Sequence, residues 1–281
     1  MLFVMGASGR MGGAVIRHYP GNCRAGTRGG GLISSATETV PFDLNDPQTH
    51  RPALSGCEAM FVMRPPTVTP RAPFERLMQA ARDAGVTFVA CASVYGAGAS
   101  RLLPHRHMEA AIRKSGLPHV FLRPADFMQN LADIHGEAIR RRDEIAVPAG
   151  EGRSAFLDVE DIGRAVAAVL AAKNAHAGRA YDLTGPEALT FRNVAHTMTQ
   201  VLRRAIRYRR VSPSRFVLEQ VRSGRQVPMT LVMTVLYSAQ RLGRAAPVSA
   251  DFERLMGRSA TSLANYVARE RTRFMPTDWV G

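Results

Sequence analysis

The tightest constraint on this chain lies at its start, where Leu2-Phe3-Val4-Met5 runs directly into Gly6-Ala7-Ser8-Gly9-Arg10-Met11-Gly12-Gly13-Ala14-Val15-Ile16. An apolar run, glycines spaced G-x-x-G-x-x-G and a helical pattern in succession predict a buried strand, a tight turn and a helix. Gly6 permits the turn, Gly9 lets the backbone approach a diphosphate, and Gly12 lets helix and strand pack closely. The free N–H groups at the helix start, aided by the helix dipole, then face an anion. Gly6, Ser8, Gly9, Arg10, Met11 and Gly12 are therefore the expected diphosphate cradle.

Beyond that turn, short apolar runs alternate with helical patterns, as in a parallel sheet wrapped by helices. Strands are expected at 2–5, 23–27, 40–42, 58–63, 86–92 and 119–122, and helices at 10–19, 73–84 and 102–115. Gly85 and Gly116 supply helix stops. Further on, 156–158 is expected to return to the sheet, followed by a helix at 161–172 and strands at 181–183 and 206–211. The fold class is α/β: a doubly wound parallel Rossmann sheet with a smaller, mainly helical C-terminal substrate lobe. Residues 1–184 form the expected nucleotide-binding domain, with 125–152 contributing partly to the lobe, and 185–281 form the lobe itself.

The formal charge of +14 does not point to nucleic acid. Lys114 and Lys173 are the only lysines among 37 basic residues, and the arginines are spread over the whole length rather than gathered on one element. Short runs at Arg140 to Arg142 and at Arg203, Arg204, Arg207, Arg209 and Arg210 are expected to be solvated edges rather than a site for an acidic partner. Cys23, Cys57 and Cys91 form no C-x-x-C pair, so neither a metal site nor a disulfide framework is expected, and a reducing cytoplasm fits. No apolar run reaches the roughly 18 residues of a membrane span, and none is expected.

The end of the second strand separates NAD from NADP. A carboxylate there would bind the ribose hydroxyls and repel a 2′-phosphate. Here the stretch reads Arg24-Ala25-Gly26-Thr27-Arg28, and the first carboxylate that follows is Glu38. Arg28 can fork onto phosphate oxygens, with Arg10 as a second clamp, so NADP(H) is expected over NAD(H).

Several segments, in order, resemble the atypical short-chain dehydrogenase/reductases of the NmrA-like family, including its quinone oxidoreductase-type members. They are the glycine turn, the Arg28 strand end, 42–47 (FDLNDP), 62–66 (VMRPP), 122–130 (LRPADFMQN), 156–162 (FLDVEDI), 183–190 (LTGPEALT) and 252–268. The resemblance implies that Asp43 and Leu44 lie against the adenine. It places Met63, Arg64 and Pro65 along the ribose and phosphate. It brings Ser93 and the loop from Pro124 to Phe127 near the nicotinamide.

The Tyr-x-x-x-Lys pair of orthodox short-chain dehydrogenases is absent, because Ala110 precedes Lys114 by four residues and Val169 precedes Lys173 by four. An NADPH-dependent oxidoreductase remains the leading expectation, since hydride transfer mainly needs an electron-poor acceptor held against the nicotinamide. The expected acceptor is a small apolar quinone-, enone- or aromatic-ketone-like molecule. Tyr95 and His105 are the candidate catalytic residues; His105 would share a helix face with Glu109, whose carboxylate would orient the ring. Phe127, Met128 and Tyr95 are the candidate pocket residues, joined by apolar side chains between Phe216 and Tyr237 that are expected either to line a cavity or to form a dimer interface or helix packing. The alternative is a non-catalytic NADP(H) sensor acting through a protein partner, with a non-redox isomerisation as a third reading. A monomer or homodimer is expected.

Overall fold

The computed structural model describes residues 1–65, 71–99, 103–245 and 247–276. Pro66 of the expected 62–66 motif and Leu102, the expected first residue of a helix, lie outside the described residues.

Seven strands build the main sheet: β1 (Leu2–Met5), β2 (Cys23–Thr27), β3 (Glu38–Pro41), β4 (Ala59–Met63), β5 (Phe88–Ala92), β6 (His119–Pro124) and, after the short strand β7 (Glu144–Val147), β8 (Ala180–Leu183). All pair in parallel, in the order β3-β2-β1-β4-β5-β6-β8. This is the Rossmann arrangement, and the winding reverses between β1 and β4, where such sheets open a crevice at their carboxyl ends. Every residue of β1 and β5 is buried. Continuous apolar runs of this kind suit strands covered on both faces. Phe3, Phe61, Phe74 and Phe121 have at most 2% of their surface exposed. Each such burial stabilises the fold by roughly 1.5–3 kcal/mol.

Two contacts depend on small residues. A Cβ on Gly12 would lie 2.3 Å from the Gly6 carbonyl oxygen, so only glycine lets the helix Arg10–His18 begin so close to β1. A Cβ on Gly163 would stand 2.5 Å from the Ala14 carbonyl oxygen, which is how the helix Val159–Ala171 comes against Arg10–His18.

The chain divides into two compact units: Met1–Pro124 with Val159–Leu183 and Ala250–Arg258, and Ala125–Asp158 with Thr184–Ser249 and Ser259–Gly281. The backbone thus passes from one to the other after Pro124, Asp158, Leu183, Ser249 and Arg258. In the second unit β7 pairs in parallel with β9 (Arg207–Arg210), from Glu144↔Arg207 to Val147↔Arg210. Arg209 binds Glu144 at 2.7 Å and Glu219 at 2.7 Å, and Arg204 binds Asp143 and the Phe274 carbonyl. Part of the basic run at 203–210 is therefore committed to internal carboxylates and carbonyls.

The expected return of 156–158 to the sheet is not what forms. β8 occupies the place beside β6, and Leu157 makes an isolated parallel bridge with Phe127 instead. Val86 and Thr87, expected in β5, belong to the turn before it: Val86 N–H closes on the Ala81 carbonyl at 2.9 Å.

Candidate functional site

In the first unit, a cavity of about 260 Å³ opens where β1, β2 and β4 end. Gly6, Ser8, Gly9, Arg28, Asp43, Leu44, Met63 and Pro65 all line it, so eight sequence-predicted residues meet at one cavity. Gly6 adopts φ +70°, the left-handed turn that the sequence required. The helix Arg10–His18, which carries Met11 and Gly12, starts from Gly9 with no capping side chain and no acid in its first turn. Its first N–H groups are thus left for an anion.

Arg28 is exposed on the cavity rim, whereas Arg24 is held inward by Glu38 at 2.6 Å and by the Ala53 and Ser55 carbonyls. Asp43 is fixed by its own turn: its carboxylate accepts from Asn45 N–H at 2.9 Å and its backbone N–H donates to Thr49 Oγ1 at 3.0 Å. Met5, Gly26, Thr27, Phe42 and Asn45 also line the cavity, and sequence reasoning missed them. Strand ends beside a winding reversal were the available signal. The Thr27 hydroxyl is buried without a hydrogen-bond partner among the described residues.

Ser93 and Tyr95 follow the end of β5, and their N–H groups bond the Leu122 carbonyl at 2.8 Å and the Pro124 carbonyl at 2.9 Å. Arg64 follows β4, Pro124 ends β6, and His105 opens the helix His105–Ser115. None of these lines the cavity, and Phe127 lies in the second unit. Burial, assisted by the Arg64 charge, pushes the His105 imidazole down to about 4, against the pull of Glu109. The ring is neutral at pH 7, with Nδ1 buried and unpartnered among the described residues. Tyr95 is raised from its ordinary value, first by burial and then by Asp182.

Glu109 does not orient that ring. Its carboxylate, 1% exposed, accepts from Arg123 at 2.9 and 2.8 Å and from Arg113 at 2.9 Å. Burial pushes the carboxyl up, but the Arg123 hydrogen bonds and the Arg123 and Arg113 charges outweigh it and hold Glu109 below the usual carboxylate range. Its role is to brace β6 against the helix behind it. The lysines are likewise committed, Lys114 to Glu75 at 3.4 Å and Lys173 to Glu58.

A smaller cavity of about 60 Å³ lies within the second unit, lined by Asp126, Asn130, Leu131, Ile134, His135, Phe156, Phe191, Met233, Leu236, Tyr237 and Gln240. His135 Nε2 and Tyr237 Oη are 2.8 Å apart, and burial brings the imidazole down to about 3, with the Arg225 charge acting in the same sense. Of the apolar side chains expected to form a cavity, Met233, Leu236 and Tyr237 do so. Phe216 is in the core, while Val227, Met229, Leu231, Val232 and Val235 are 45–67% exposed. Met128, 1% exposed, also packs into the core rather than facing this space.

A parallel sheet wound in this order, with a glycine turn at its crevice and no Tyr-x-x-x-Lys pair, defines an atypical short-chain dehydrogenase/reductase type of fold. Residues 1–270 match the NmrA-like family, and the chain belongs to it. An NAD(P)H azoreductase of Xenophilus azovorans is 29% identical over 292 residues, covering 98% of this chain and 99% of that protein. Quinone oxidoreductase 2 of Escherichia coli K12 is 27% identical, covering 77% and 79%. Among solved structures, the Citrobacter sp. triphenylmethane reductase complexed with NADP(H) superposes with a TM-score of 0.83 at 25% identity, covering 96% of this chain and 99% of that one.

Proposed function

We propose that this chain is an NADPH-dependent reductase of small, apolar, electron-poor molecules such as quinones, enones or aromatic ketones. The observation that carries the reading is the cavity bounded by the glycine turn, Arg28 and Asp43. The residues present fit a dinucleotide: a Cβ on Gly12 has no room, the helix start is uncapped, and the buried Thr27 hydroxyl lacks a partner among the described residues. When bound, the nicotinamide supplies the hydride.

The chain's own residues would hold that cofactor. Gly6, Ser8, Gly9, Arg10, Met11 and Gly12 would offer backbone donors and a guanidinium to the diphosphate. Arg28 would take the 2′-phosphate, and Asp43 with Leu44 would bound the adenine. Met63, Arg64 and Pro65 would follow the ribose, and Ser93, Tyr95, His105 and Pro124 would meet the nicotinamide end. His105, as a neutral ring, suits a hydrogen-bonding contact better than proton donation. The reductase names carried by the Xenophilus azovorans and Escherichia coli relatives support turnover over silent sensing of the cofactor.

The test follows absorbance at the nicotinamide band with NADPH or NADH and a panel of quinones, azo compounds and triarylmethane dyes. Faster oxidation of NADPH than of NADH with at least one acceptor is expected. Tight NADPH binding with no acceptor turned over sinks the enzyme reading; no binding sinks the site itself.

A further inference from the structure

The second unit also carries an open groove of about 710 Å³, a volume within the range of small-ligand sites. Arg153, Arg210 and Arg241 line it from three separate segments, and the one acid among its lining residues is Glu151. We propose that this groove binds a small polyanion, a molecule carrying at least two phosphate or carboxylate groups. Guanidinium forks match the oxygens of both groups.

The three segments are held together by close backbone contacts. A Cβ on Gly152 would lie 2.1 Å from the Gln240 carbonyl oxygen, so only glycine lets this turn pass against the end of the helix Val227–Arg241. Gln240, 2% exposed, donates from Nε2 to the Gly152 carbonyl at 3.3 Å. Gly150, at φ +58°, makes room for the Arg241 stem: a Cβ there would stand 3.2 Å from its Cγ. The Tyr208 hydroxyl ties β9 to the same turn by donating to the Gly150 carbonyl at 3.1 Å, and Arg210 closes the ladder opposite Val147. Ser154 and Leu189 exchange backbone hydrogen bonds at 3.0 and 2.9 Å. That pairing seats Arg153 beside Ala188, whose carbonyl accepts from its Nη1 at 3.0 Å.

The charge gathered here is uncompensated. Elsewhere in the unit arginines meet carboxylates: Arg204 meets Asp143, Arg209 meets Glu144 and Glu219, and Arg269 meets Asp158. Arg153, Arg210 and Arg241 form no ion pair among the described residues, and Glu151 is taken by Arg192 at 3.1 Å. A lone exposed arginine needs no partner but water. Three brought by separate segments to one concave surface repel one another, and an anion bridging them removes that cost. The end of the helix does not oppose it. Its Ala239 and Gln240 carbonyls accept from the Arg244 and Gly243 N–H groups, each at 2.9 Å, so the negative pole is closed by its own chain.

The groove shares no lining residue with the dinucleotide cavity, so this site stands or falls apart from the reductase reading. Isothermal titration calorimetry at low salt, with the dinucleotide site kept filled by NADPH, measures affinity for tripolyphosphate, citrate and inorganic phosphate. Tripolyphosphate or citrate should bind about 10-fold or more tightly than inorganic phosphate, and the tighter of the two identifies the preferred acidic group. Arg153→Gln/Arg210→Gln/Arg241→Gln should weaken that binding about 20-fold or more, a few-fold per exposed charge pair. Arg51→Gln/Arg207→Gln/Arg222→Gln removes the same charge outside the groove and should weaken it by less than about threefold. NADPH affinity and Tm should stay close to wild type in both.

No binding of either polyanion overturns the proposal, as does inorganic phosphate binding equally well. Equal losses in the two triple variants overturn it too, since a diffuse positive field would then explain the binding. Should the groove variant fail to fold, Arg210→Gln and Arg241→Gln are tested singly. Each should cost a few-fold in affinity, and unchanged affinity in both overturns the site.

Discussion

The guanidinium of Arg24 meets the carboxylate of Glu38 at 2.6 Å across the paired strands β2 and β3. The first acidic side chain after β2 is thereby neutralised, while Arg28 remains exposed on the cavity. Replacing Arg28 with Ala should raise KM for NADPH about 10–100-fold, because a charge-assisted bond to phosphate contributes about 1.5–3 kcal/mol. KM for NADH should change less than threefold. Steady-state kinetics with both nucleotides measure this; parallel rises would remove the 2′-phosphate assignment.

Breaking the Glu109–Arg123 pair should be costly. With Glu109→Ala, the Arg123 side chain, 14% exposed, loses the carboxylate that it grips with two hydrogen bonds. Removing one partner of a buried pair costs about 3–5 kcal/mol, whereas replacing both by apolar groups is often nearly neutral. Denaturant unfolding of Glu109→Ala against Glu109→Leu/Arg123→Met should therefore place the double variant closer to wild type. A single-variant loss below about 1 kcal/mol contradicts the bracing role.

His135 makes the second unit acid-sensitive. Its ring sits at about 3 in the fold, against an ordinary value near 6.5 in the unfolded chain. Above pH 6.5 both states are neutral and nothing is lost. Between pH 6.5 and 3 the unfolded chain binds the extra proton, so stability falls as pH falls, by about 2 kcal/mol from pH 7 to 5. His135→Gln should lower stability at pH 7, by losing the Tyr237 contact, yet flatten the slope between pH 7 and 5. An unchanged slope in urea titrations at the two pH values would rule out His135 as its source.

Much of the first unit is legible in the sequence because its signals are local. Uninterrupted apolar runs mark β1, β4 and β5, and Gly116 stops its helix at φ +74°. The glycine turn carries its own steric logic. The parts that escaped depend on partners distant in the chain. β7 is four residues long and is defined by β9, more than sixty residues later. Glu109 looked like a partner for His105 at helical spacing, but Arg123, on another element, claims it. Spacing exposes neighbours along one element, not the competition among elements for the same group.

The repeated passage of the backbone between units has a practical result for anyone trimming this protein. A fragment stopping at residue 184 would lack Ala250–Arg258, and with it the Asp251 carboxylate that caps the Asp182 N–H of β8 at 2.8 Å and the Arg258 guanidinium on Asp161. The seventh strand would be left with a raw border and a buried acid short of one counter-charge. No amputation at a single point yields either half intact; the two are sewn together, and the last stitch is made near the end of the thread.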